Sequence, residues 1–283
     1  MKILNIDSQI LTSFSHCPLR CHFGFGERLV TKDSNKYFDM GKVVHIGAQT
    51  YYQGIKDGKL YDERKKEALL TANTFAVTST DLNQADLEST IKTLDQYFTY
   101  RREDKIFVKA VEVPFSKVLY VGKDLTGEDI TILYEGIIDL IADEDGWSYV
   151  YDHKTTSKWY LQDPADLRVQ FIGYSWATGY KVINNRIAFN QRLSITDRFK
   201  KFTFKYTEET VRRWESYAIR KGLQYARCLE TNVWPEDFSA CEGSHGYPCN
   251  FAEICRMPSL AEETKNYLFK VGEPWDVFSE KNT

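Results

Sequence analysis

The chain has 283 residues, 42% apolar and 27% charged, ample for the core of one large domain or two small ones. Its 14% aromatic content excludes disorder over most of the length. A net charge of −3 excludes a global basic field for nucleic acid, but not a local basic groove.

In chain order, Ser13 or Ser15 is placed to cap a short N-terminal helix carrying Cys17-Pro18 and Cys21. Helices are expected over 39–55, around Met40, Val43, Val44, Ile46 and Gly47, and over 62–78 and 83–103. From about residue 106 the apolar period changes from 3.6 to 2. Val108, Ala110 and Glu112 alternate with Phe107, Lys109, Val111 and Val113, and Pro114 is expected to end that ladder. Strands over 130–142 and 147–151 follow, joined through Glu144-Asp145-Gly146. Asp163-Pro164 offers an N-cap and a first-turn proline for the next helix. Two further strands are expected near 186–193 and 201–206, and Thr207 caps a long helix over 208–229. The tail beyond Trp234-Pro235 is Cys-rich and irregular. The pattern is α/β in the broad sense. It reads as a single domain over 1–283: a mainly helical part (1–105), a sheet core (106–206), and a C-terminal helix with a Cys-rich segment (207–283). No apolar run reaches about eighteen residues and no basic-then-apolar leader opens the chain. The expectation is a cytoplasmic protein with no membrane partner, whose six cysteines are not a disulfide framework.

The chemistry concentrates at the hairpin. With Asp145-Gly146 as a two-residue type I′ loop, Glu144 faces Trp147 and, counting back, Asp139 faces Asp152. Their Cβ atoms would then lie roughly 4.5–5.5 Å apart, which is destabilising unless one is protonated or a cation lies between them. Lys154 shares the Asp152 face. Two carboxylates and an ammonium around a Mg²⁺ or Mn²⁺ suit phosphodiester hydrolysis: the metal acidifies water and neutralises phosphate, and the lysine stabilises developing charge. The plain alternative is an exposed hairpin with solvated or salt-bridged Asp and Lys. Gln170 and Tyr174, at i and i+4 of the following helix, share one face and complete an ordered set.

That set resembles the PD-(D/E)XK nuclease superfamily, in its RecB-like branch. The matching motifs are His45 in Gly41-Lys-Val-Val-His45, Gly136-Ile-Ile-Asp139, Asp152-His-Lys154 and Gln170-x3-Tyr174. The resemblance implies a restriction-endonuclease-like core, a central mixed sheet flanked by helices. It implies that His45, Asp139, Asp152 and the His153 backbone carbonyl ligate the metal, and that Lys154 is the catalytic lysine. Gln170 and Tyr174 would contact DNA or order the site, and Glu112 matches an acidic residue that the branch often carries. A lone helical His45 is otherwise read as packed or solvated.

Cys17, Cys241, Cys249 and Cys255 are similar in layout to the iron–sulfur members of that branch, AddB-type nucleases and the CRISPR-adaptation exonucleases. The layout implies a [4Fe–4S] cluster stapling the ends of the domain, with Zn²⁺ or unliganded thiols as alternatives. The spacing Cys241-x7-Cys249 is longer than the family's, which makes Cys21 a reserve ligand. Gly243, Gly246 and Pro248 fill the extra length with turn-formers. Cys228 reads as a buried free thiol in a helix. The expected function is metal-dependent DNA hydrolysis by an exonuclease on ends or single strands, in preference to a sequence-specific endonuclease, since no separate DNA-reading module is visible. The competing reading is a non-catalytic or complex-dependent subunit serving a helicase or integrase partner. No Gly-x4-Gly-Lys-Ser/Thr loop is present.

Overall fold

The computed structural model describes residues 2–32, 36–157, 168–242 and 248–278. β1 (Lys2–Ile6) leads to α1 (Ser8–His16), capped by Asp7, whose carboxylate accepts from the Ile10 amide at 2.7 Å. The cap therefore lies upstream of Ser13 and Ser15. Cys17 precedes a proline and takes an extended backbone (φ −161°, ψ 117°), which ends α1. It then caps the one-turn α2 (Pro18–Cys21), with its sulfur 3.5 Å from the Arg20 nitrogen. A π-helical turn over His22–Gly26 and β2 (Leu29–Thr31) follow.

The three helices expected next are α3 (Lys36–Lys56), α4 (Tyr61–Ser79) and α5 (Gln84–Tyr100). β3 (Phe107–Lys123) runs on through Pro114, so the proline does not end the ladder. β4 (Asp129–Glu144) and β5 (Trp147–Thr156) form the predicted hairpin, and β5 extends through the whole Asp-His-Lys run. The Asp163-Pro164 helix start lies outside the described residues; α6 is seen over Val169–Thr178 and closes on Gly179 with φ 75°. β6 (Lys181–Ala188) starts before the expected residue 186, because its polar Asn184-Asn185-Arg186 centre hides a fully buried strand. A short α7 (Ile195–Arg198) and β7 (Phe199–Phe204) come next. The Thr207 hydroxyl accepts from the Thr210 amide at 3.2 Å and opens α8 (Glu208–Thr231), as expected. The tail is more regular than its composition suggests: α9 (Ala252–Arg256), α10 (Ala261–Leu268) and β8 (Phe269–Val271), which pairs antiparallel with β2.

The architecture is mixed α/β, with a mixed sheet flanked by helices. In pairing order the six-stranded sheet runs β1–β4–β5–β6–β7, with β3 also on β4. β1 is parallel to β4 and β5 to β6, while β4–β5 and β6–β7 are antiparallel. The chain divides into two compact units. One takes in Met1–Ser34, Ser116–Gly136 and Arg212–Asn282, and the other Asn35–Phe115 and Ile137–Val211.

In the second unit, one face of the strands packs under α3, α4 and α5. Val44, Ala48, Tyr51, Ala72, Leu94 and Phe98 are buried there against Leu140, Tyr151 and Ile183. The opposite face packs Ile138, Val150 and Val182 against Phe171 and Tyr174 of α6. In the first unit a small apolar cluster joins Phe23, Leu29, Phe251, Ile254 and Phe269, with Cys249 and Cys255 at its edge. Among the described residues no helix is long and apolar enough to cross a membrane.

Candidate active site

Asp145 and Gly146 turn the hairpin with φ of 50° and 77°, the left-handed pair that a type I′ loop requires. The predicted register follows, from Glu144 opposite Trp147 to Leu140 opposite Tyr151. The next step would set Asp139 opposite Asp152, and there the regular backbone pairing stops. The Asp139 carboxylate instead accepts from the His153 amide at 2.6 Å. A strand side chain thus takes the donor that an antiparallel ladder would give to a main-chain carbonyl. Ile138 also leaves the two-residue period at this point, packing with Val150 while Leu140 and Ala142 pack under α3.

Alternation along β5 puts Asp152 and Lys154 on one face and His153 on the other. The Lys154 ammonium lies 3.0 Å from Asp152 Oδ1 and 2.9 Å from Oδ2. Asp152 is only 1% exposed, and its Oδ2 is buried with that ion pair in place of a directed hydrogen bond. From α3, His45 brings Nδ1 to 3.6 Å from Asp139 Oδ2. Glu112 stands on β3 in the left-handed region, φ 50°, a conformation that a non-glycine residue rarely takes. Across it the strand changes sides: Val111 packs with the α3 cluster, and Val113 with the α6 cluster. Strict alternation predicted both on one face; the left-handed residue breaks it.

Burial is the main electrostatic force here. It raises the Asp139 carboxyl above its ordinary range; His45 opposes that rise and Asp152 adds to it. Glu112 is pushed up to about 8, first by burial and then by the Asp139 charge. Removing water from several carboxylates and setting them together favours a proton or a cation among them.

The His153 imidazole is not part of this acidic group. It stacks on Tyr52 with ring centroids 5.3 Å apart, and the Asn185 amide donates to its Nδ1 at 2.8 Å. Burial holds it well below the usual histidine range. Around it, Tyr52 and Tyr97 share a hydroxyl–hydroxyl bond of 2.5 Å, and Arg101 donates to Asn185 Oδ1 at 3.3 Å. This buried polar layer fixes the back of β5. Nothing in the sequence marked it, since Tyr, Asn and Arg carry no periodic apolar signal.

Gln170 and Tyr174 share a face of α6, and the Gln170 amide donates to the Tyr174 hydroxyl at 2.9 Å. That hydroxyl in turn donates to the Ile137 carbonyl at 2.9 Å, and Tyr174 is buried. Of the two roles expected of this pair, its geometry suits ordering β4 beside Asp139.

The four cysteines of the predicted cluster all fall in the first unit. The Cys249 amide donates to the Cys241 carbonyl at 3.2 Å, which closes the long Cys241-x7-Cys249 loop. Burial raises Cys241, with Cys249 and Cys17 adding to the rise. It pushes Cys255 up to about 11, and Cys241, Glu236, Cys249 and Cys17 add to it. Cys241 and Cys255 therefore both lie within electrostatic reach of Cys17 and Cys249. Cys21, one helical turn from Cys17, is fully buried: its amide donates to the Cys17 carbonyl at 3.1 Å, its thiol donates to the Ile10 carbonyl at 3.9 Å, and burial, with Asp7, Cys228 and Cys17 adding to it, pushes it up to about 12. Cys228 is a buried free thiol, as expected.

Among the described residues, no three or more His, Cys, Asp or Glu side chains are already drawn together closely enough to hold a metal ion. The donor chemistry nevertheless fits a hard divalent cation: two crowded carboxylates, a third pushed towards neutrality, and a buried carboxylate oxygen that no directed hydrogen bond occupies.

Two solved structures align with this chain at low similarity. One is a protein described as SSO0001, 16% identical, with a TM-score of 0.33, covering 77% of this chain and 94% of its own. The other is a Eubacterium rectale protein provisionally described as an exonuclease, 12% identical, with a TM-score of 0.48, covering 84% of this chain and 86% of its own. Among curated proteins none matches. The sequence matches the family model of the PD-(D/E)XK nucleases over residues 9–256, nearly the whole chain, and the protein belongs to that superfamily.

Proposed function

We propose that this nuclease hydrolyses DNA with Mg²⁺ or Mn²⁺, acting as an exonuclease on ends or single strands. The observation that carries the reading is Asp139 taking the His153 amide where the β4–β5 pairing stops, one residue along β5 from the Asp152–Lys154 pair, with the Asp139 charge acting on Glu112. Asp139 and Asp152, with His45, the His153 carbonyl and Glu112, are the groups that would hold the cation. A cation bound there supplies Lewis acidity, neutralising the phosphate and lowering the pKa of water. Asp152 holds the Lys154 ammonium in place, and that ammonium stabilises negative charge as it builds on the phosphate. Tyr174 and Gln170 keep β4 against α6, so that Asp139 stays within reach of the His153 amide.

The same reading gives Cys17, Cys241, Cys249 and Cys255 a [4Fe–4S] cluster of structural role, with Zn²⁺ as the alternative. The influence of Cys17 and Cys249 on Cys241 and Cys255 and the Cys249–Cys241 backbone bond support it, and Cys21, one turn from Cys17, stays the reserve ligand.

One preparation tests both parts. End-labelled single- and double-stranded DNA is digested with Mg²⁺ or Mn²⁺, and Lys154→Ala is expected to lose at least about 100-fold in rate. Unchanged cleavage by that variant overturns the site. Anaerobically purified protein is expected to absorb in the visible range and to contain iron; a colourless, zinc-filled preparation overturns the cluster.

A further inference from the structure

Residues 38, 42 and 45 of α3 fall within about 60° of one another around the helix axis at 100° per residue, so Phe38, Lys42 and His45 line one stripe. Gly41 flanks that stripe on its His45 side, about 40° from His45 around the axis. A Cβ at Gly41 would stand 3.2 Å from Thr155 Oγ1, so this part of α3 lies directly against β5, one residue beyond Lys154. The stripe therefore starts at the acidic site and runs outward from it. At its outer end Phe38 is 60% exposed, with the Lys42 ammonium 4.6 Å from its ring centroid. Scattered exposed phenylalanines need no explanation. This one is aligned with a candidate metal ligand, carries a cation on its ring, and sits on a helix seated on the catalytic strand.

The distance is also informative. Seven residues of helix separate Phe38 from His45 by about 10 Å along the axis. That equals about three stacked nucleotide steps at 3.4 Å each, or fewer in an extended strand. An exposed aromatic face at that range, with an ammonium beside it, has the make-up of a single-strand contact, in which a base stacks on a ring and a phosphate meets a lysine. A duplex keeps its bases paired and stacked, and offers such a ring only the outer face of its terminal pair.

We propose that Phe38 is a base-stacking platform for a single-stranded DNA end entering the site, and that Lys42 holds a phosphate of the same strand. This inference rests on the nuclease reading above and names how that site takes its substrate. In a Lys154→Ala background, binding of a fluorescein-labelled single-stranded oligonucleotide is followed by anisotropy. Phe38→Ala is expected to raise Kd about tenfold, equivalent to about 1.4 kcal/mol and within the range of one base–aromatic stack. Phe38→Trp restores binding, and its indole fluorescence is quenched as the strand is added. With Lys154 intact, Phe38→Ala raises KM for single strands while kcat is held, and a blunt duplex is much less affected. Equal single-strand Kd with and without the ring, an equal loss on blunt duplex, or no single-strand binding by the parent protein each overturns the inference. The nuclease reading fails on a different result, cleavage that survives Lys154→Ala.

Discussion

At the scale of the residue, Glu112 shows how the site opposes the stability of its own strand. Its φ of 50° belongs to glycine, and holding another residue there costs about 1–3 kcal/mol. Its carboxyl is also pushed up to about 8, so burial works against its charge as well. Neither feature helps β3 to form; both make sense if the carboxyl is wanted beside Asp139. Glu112→Gly and Glu112→Ala should therefore both lose nuclease activity, yet differ in stability in an unusual order. Glycine is normally the weaker residue inside a strand. Here the glycine variant should be the more stable of the two by about 1 kcal/mol, because alanine inherits the left-handed strain. Thermal unfolding of the two variants side by side checks this, and an alanine variant that melts higher would show that the strand does not hold residue 112 in that conformation. No sequence pattern revealed the strain. The alternation Val108, Ala110, Glu112 looks regular, and only the opposite placement of Val111 and Val113 exposes the break.

At the scale of the element, the β4–β5 hairpin was legible because its turn chemistry is local. Asp-Gly fits a type I′ loop, and a two-residue loop sets the register of every pair behind it. Those two residues alone bring Asp139 next to the Asp152 strand. Other elements were hidden for physical reasons. β1 reads as a short mixed run and gains its identity from parallel pairing with β4, a contact over a hundred residues away. β6 buries Asn184, Asn185 and Arg186; Asn185 is met there by Tyr97 and His153, and Arg186 donates to the Asp197 carbonyl. The outward half of α3, with Phe38 and Lys42, has the composition of an ordinary helix start, and only the approach of Gly41 to Thr155 ties it to the site.

The hairpin also makes a direct prediction. Nothing lies within 4 Å of the Cβ position of Gly146, so Gly146→Ala meets no clash and incurs only the strain of φ 77°. The variant should lose about 1–2 kcal/mol of stability. It should keep its cleavage activity below its own melting temperature, because the count of residues in the loop, and hence the register, is unchanged. Activity lost in protein that is still folded would mean that the turn does more than set the register.

At the scale of the whole molecule, the first unit places an acid where water cannot reach it. Asp7 is 4% exposed, caps α1 through the Ile10 amide, and takes a second bond from the Trp275 indole at 3.2 Å. Residues near the two ends of the described chain thus share one carboxylate. Burial outweighs these bonds and raises the Asp7 carboxyl to about 6. In the unfolded chain the same group titrates near 3.9. Between those values the folded protein holds a proton that the unfolded chain has released, so raising the pH pulls the equilibrium towards unfolding. The contribution is fully present below about pH 4 and is lost as the pH rises through about 6, amounting to about 3 kcal/mol over the window. Asp7→Asn keeps one oxygen to cap α1 but carries no proton to exchange. Near pH 4 both proteins present a neutral group to the Ile10 amide, and the asparagine loses only its acceptor for Trp275. As the pH is raised to 7, wild type should lose stability relative to the variant, by a few degrees in Tm for each kcal/mol. Measuring the Tm difference between the two proteins at several pH values cancels every other titrating group. A difference that stays flat from pH 4 to 7 would show that Asp7 keeps an ordinary pKa, and that its bonds to Ile10 and Trp275 offset its burial.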